Sequence, residues 1–278
     1  MNPWIPRLAL MSSLSGAFLQ GCAGGPPVKP LAQAERIKID NEVGLGLTHE
    51  LEARLQLKQD KEVQVYLRSL AESLSRTTLE LRDSSVGVLL VKDSDSKWRN
   101  FGIPGNRVYL SGNLLRRFNY ENEVAAAIAV ELGHIVNRDA LTRLGELTRK
   151  EAADGLGASS RPLTPDSLKG LLPPQPGETP GKIEFFGPAG ILTFTEASEL
   201  AAVEEAVGIL YRAGYDARGL VSFFQLFQTY PERSPYDTTM LTKVLQHVRE
   251  TIALYSPLRN PIVRSQAFLA IQKRIQKL

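Results

Sequence analysis

Ala129-Val130-Glu131-Leu132-Gly133-His134 lies at the centre of an apolar run, VAAAIAVELGHIV, that extends from Val124 to Val136. Its spacing predicts a helix, placed within a longer helical segment from Asn119 to Lys150, that is buried on most sides. A carboxylate and an imidazole inside such a run need partners or a water-filled cleft, because burying them unpaired is costly. Two readings follow. Glu131 and His134 are either a satisfied pair in an ordinary core or the remaining polar groups of a functional cleft.

The same six residues come one side chain short of a metal motif. In His-Glu-x-x-His on a helix, the two imidazoles stand four residues apart on one face and hold zinc, and the Glu activates a zinc-bound water. Glu131 and His134 occupy the general-base and second-ligand places, but the first ligand place is Val130, whose isopropyl group has no lone pair. Either a former zinc site has lost a ligand, or zinc is held in a way the motif does not describe.

Composition sets the surroundings. The 278 residues are 43% hydrophobic and 23% charged, as in an ordinary globular domain, and the net charge of +3 includes no concentrated basic run. No nucleic-acid partner is expected. Residues 1–21 read as a signal peptide, with Arg7 before the apolar stretch Leu8–Leu19, which is too short to span a bilayer well. That stretch ends in Leu19-Gln20-Gly21-Cys22, which resembles the bacterial lipobox, so Cys22, the sole cysteine, is expected to carry lipid and anchor the chain to a membrane. Ala23 after it favours the outer membrane by the same resemblance. With Cys22 acylated, any metal would have to be held by His and carboxylates.

Residues 22–40 are expected to form the anchor and tether. Helical periodicity is expected over Asn41–Leu57, Lys61–Thr77, Thr195–Ala213, Ala217–Tyr230, Thr239–Tyr255 and Pro261–Leu278. Val86–Val91 and Arg107–Leu110 read as strands. The stretch 154–190 is dense in Pro and Gly and reads as an insertion or lid within a domain spanning 41–230, with C-terminal helices over 231–278.

Several segments in order resemble the HtpX-like, CAAX-prenyl-protease-type zinc metallopeptidases, in particular their soluble periplasmic lipoprotein members. They are Asn100-Phe101-Gly102-Ile103-Pro104-Gly105 with Val108-Tyr109-Leu110-Ser111, then Asn122-Glu123-Val124-Ala125-Ala126, then Tyr211-Arg212-Ala213-Gly214-Tyr215-Asp216. The resemblance covers roughly 42–227. It implies an α+β, helix-dominated, gluzincin-like metallopeptidase fold with a small sheet beside the cleft. It also implies a third zinc ligand, a Glu in "ExEAD" before "AGYD". Ungapped placement on Ala213–Asp216 puts Glu199 on the first Glu, Ala201 on the ligand and Val203 on the Asp. Glu205, one turn later, is an alternative reached only by slipping the helix. His134 would then be the one retained ligand, Val130 and Ala201 the lost ones, and Glu131 an idle general base.

The resemblance further implies peptide binding by strand addition, with Arg107, Val108, Tyr109 and Leu110 as the edge strand. The expectation is a non-catalytic envelope lipoprotein that binds or regulates an envelope protein or extended peptide and needs no cofactor. The alternatives are an active zinc metalloendopeptidase in envelope quality control and a purely structural lipoprotein.

Overall fold

A computed structural model describes residues 33–92, 97–155, 184–188 and 190–278. The signal peptide, Cys22 and most of the Pro/Gly-rich stretch 154–190 lie outside these residues. The described residues all belong to the unit Gln33–Leu278.

Nine α-helices, one short 3-10 helix (Pro231–Arg233) and four strands are formed among the described residues. The helices are α1 Gln33–Glu52, α2 Lys61–Ser75, α3 Gly112–Leu115, α4 Glu121–Val136, α5 Asp139–Gly155, α6 Glu196–Arg212, α7 Arg218–Thr229, α8 Thr238–Ala253 and α9 Gln266–Ile275. The strands are β1 Leu57–Lys58, β2 Gly87–Val91, β3 Phe101–Ile103 and β4 Arg107–Ser111. The fold is thus helix-dominated with a small mixed sheet, as expected. Helix starts follow local chemistry. Asp60, Thr195, Asp237 and Ser265 each accept a hydrogen bond from a backbone N–H in the first turn of α2, α6, α8 and α9. Among the described residues, no helix is long and apolar enough to cross a membrane.

Three sequence expectations change. α1 begins at Gln33 and buries Ile39, so its first turns occupy the end of the expected tether. The single helix expected over Asn119–Lys150 is two, broken where Arg138 adopts φ 58°. That break turns the chain so that Asp139 meets the helix it has just left. The third concerns the expected edge strand. The sheet order is β1-β2-β4-β3, so β4 is an interior strand, parallel to β2 and antiparallel to β3. Its hydrogen-bonding groups are engaged on both sides, and Arg107–Leu110 is therefore not available for strand addition. The edge on that side is β3.

Side chains alternate across the sheet. Val108 and Leu110 join the main core with α2, α4, α6, α7, α8 and α9, whereas Tyr109 faces a second core with α1 and the start of α5. Helices α8 and α9 bury Leu241, Val244, Phe268 and Ile271 in the same main core as α4. Glu121, at the start of α4, accepts from the Tyr66 hydroxyl at 3.1 Å and the Ser265 hydroxyl at 2.9 Å, which joins α2, α4 and the start of α9.

Candidate functional site

The site is assembled around one turn of α4. The Glu123 carboxylate folds back to accept from the backbone N–H groups of Asn119 and Tyr120, fixing the helix start. Two glycines then let neighbours close on Glu131 and His134. A Cβ on Gly133 would lie 2.3 Å from the Ala202 carbonyl oxygen, so α6 crosses α4 with its backbone in near contact. A Cβ on Gly102 would lie 2.7 Å from the Glu131 carbonyl oxygen, so β3 presses on the same turn from the other side.

His134 is 4% exposed and has a carboxylate beside each ring nitrogen. Nδ1 is 2.8 Å from Asp139 Oδ2, and Nε2 is 3.6 Å from Glu199 Oε2. Phe194 stacks on the imidazole with ring centroids 4.4 Å apart. Burial works against the charged imidazole, but the hydrogen bond to Asp139 and the nearby carboxylates of Glu199 and Glu131 outweigh it and lift the His134 pKa to about 10. Glu131 moves the other way. Burial pushes its carboxyl up to about 7, against the pull of the His134 charge and with a further push from Glu199. The Tyr236 phenol is held well above its ordinary pKa by burial and by the charges of Glu199 and Glu131.

Glu131, His134, Phe194, Glu199 and Tyr236 line a cavity of about 210 Å³ with Arg99, Asn100, Phe101, Phe186 and Asp237. Edge strand β3 supplies Phe101 to its wall. Val130 does not line it. Its side chain is fully buried in the main core.

Of the residues singled out from sequence, the structure brings Glu131 and His134 together and adds Glu199 to them. Ala201 is exposed, on the outer face of α6 with Glu204. Its placement at a ligand position is therefore corrected. Glu199, two residues earlier, is the α6 carboxylate that meets His134, because Glu199, Ala202, Val203 and Ala206 share the buried face. The Glu205 alternative also turns outward, paired with Arg212 at 2.9 Å. Asp139, Tyr236, Phe194 and Asn100 were not anticipated as site residues. Asp139 depends on the break at Arg138, and Tyr236 on how the segment after α7 folds back.

The donor set can be tested against a metal. A catalytic zinc takes three protein ligands and a water. His134 and Glu199 offer two donors and Val130 none, and among the described residues no group of three His, Cys, Asp or Glu is placed to hold a metal. The residues present do not fit a three-ligand zinc centre.

Comparison with known proteins places this arrangement in a family. Residues 58–241 match Peptidase family M48, a span that includes β2, β3, β4, α4 and α6. The chain is 25% identical over 217 residues to the beta-barrel assembly-enhancing protease of Yersinia pestis, covering 76% of this chain. It spans 43% of the length of that relative. A carboxylate and a histidine on one buried turn, faced by a glutamate from a second helix and flanked by a small sheet, are here found within a family match over more than half of the sequence, and the chain belongs to the M48 family of metallopeptidases.

Proposed function

We propose that this chain is a non-catalytic M48 domain, lipid-anchored through Cys22 on the periplasmic face of a bacterial envelope membrane, that binds or regulates envelope proteins through its cleft. The observation that carries the reading is the fate of the three ligand positions. Val130 is packed into the main core, and His134 is engaged by Asp139 and Glu199, leaving two donors where a catalytic zinc takes three. Without a bound metal, Glu131 has no activated water to deprotonate. The cleft itself persists, and β3 presents an edge strand beside it that suits an extended polypeptide. The N-terminal sequence and the barrel-assembly role in the relative's name support the envelope setting.

One observation favours a second reading. His134 Nε2 and Glu199 Oε2 are 3.6 Å apart, close to the ~3.4 Å between two corners of a tetrahedron with metal bonds of about 2.1 Å. An active zinc endopeptidase would then need a third ligand from elsewhere. Incubation with an unfolded polypeptide separates the readings. Binding without cleavage is expected. Chelator-sensitive cleavage selects the second reading, and neither binding nor cleavage leaves a structural lipoprotein.

A further inference from the structure

We propose that the cavity beside Glu131 and His134 receives a lysine side chain of the bound polypeptide, its ammonium paired with Glu199; this rests on the peptide-binding reading above. Glu199 is 9% exposed, and its Oε2 is buried without a hydrogen bond, the nearest charged partner being His134 Nε2 at 3.6 Å. A carboxylate oxygen in that state favours a donor from outside the fold. The charges around the cavity agree. Three carboxylates, Glu131, Glu199 and Asp237, line it with His134 and Arg99, and His134 is already paired through Nδ1 with Asp139 outside the lining. Arg99 is turned over the Phe186 ring, 5.0 Å from its centroid.

The walls suit the rest of a lysine. Phe101, Phe186 and Phe194 offer apolar faces to the methylene stem. At about 210 Å³ the space is below the ~300 Å³ of ordinary small-molecule sites, which points to one side chain rather than a whole small ligand. The Asn100 side-chain nitrogen is buried in the same wall without an acceptor. It is placed to donate to a main-chain carbonyl that accompanies the lysine.

The test uses purified full-length chain whose zinc content has been measured. Binding is compared for a blocked five-residue glycine peptide with a central lysine and for the same peptide with norleucine there. The lysine peptide is expected to bind at least tenfold tighter, and Glu199→Gln is expected to abolish that preference. Equal binding of the two peptides overturns the proposal, and so does a preference that survives in a folded Glu199→Gln protein. Should that variant not fold, the comparison on the unaltered chain still decides. Failure of the underlying reading looks different: stoichiometric zinc with cleavage removes both, whereas zinc-free protein that binds unfolded polypeptide without lysine preference removes this inference alone.

Discussion

Replacing Val130 by His should, by itself, give the domain a zinc site. Residues 130 and 134 are four apart on α4 and share a face, and Glu199 already lies 3.6 Å from His134 Nε2. The change removes a fully buried isopropyl group, worth roughly 1.5–3 kcal/mol of burial, and leaves an imidazole whose unmet hydrogen bonds cost about 1–3 kcal/mol. The metal-free variant should therefore lose about 3–5 kcal/mol, a Tm drop on the order of 10 °C. Zinc at 100 times its Kd restores about 2.7 kcal/mol, most of that loss. The assay is thermal unfolding with and without zinc, alongside metal content. Val130→Ala serves as the control that opens space without a ligand, and Glu199→Gln in the Val130→His background should remove the effect. If Val130→His takes up no zinc but Val130→His with Ala201→Glu does, the assignment of Glu199 is wrong and the ungapped placement of the ligand on Ala201 is right.

Other outcomes follow from the same contacts. Both Glu131, raised to about 7, and His134, raised to about 10, bind protons more tightly in the folded chain than in the unfolded one, so stability should fall as pH rises. The Glu131 part of the fall runs from near pH 4.5 to 7 and is on the order of 3 kcal/mol. The His134 part runs from near 6.5 to 10, and denaturant unfolding of Glu131→Gln should show only this upper part. Gly133→Ala should destabilise by about 1–3 kcal/mol or more, because its methyl meets the Ala202 carbonyl oxygen, and thermal unfolding reads this directly. Glu121→Ala should cost about 2–4 kcal/mol by stranding the hydroxyls of Tyr66 and Ser265, and hydrogen exchange should rise first in α9.

Much of the architecture was readable from periodicity, since α2, α6, α7 and α8 carry apolar residues at helical spacing, and α2, α6 and α8 start at caps visible in the sequence. The break before Asp139 was not, because it rests on one residue, Arg138, at positive φ with no glycine to mark it. Sheet order was not readable either. β4 is as apolar as an interior strand, but its neighbours are set by the short β3 that precedes it, which periodicity cannot resolve in three residues. The third carboxylate was within reach. Ala201 shares the outward phase of Glu204 and Glu205, whereas Glu199 shares the inward phase of Ala202 and Ala206, so helical phase locates the site residue where a motif alignment did not. What sequence could not supply was the group around the imidazole, since Asp139, Phe194 and Tyr236 converge on it only through tertiary folding.

The most direct test is the zinc content of the purified chain, measured by mass spectrometry on protein prepared without added chelator. Zinc well below one per chain is the result expected when Val130 withholds the third donor and His134 is engaged by Asp139 and Glu199. Zinc near one per chain would contradict that, and would require a third ligand that the described residues do not supply.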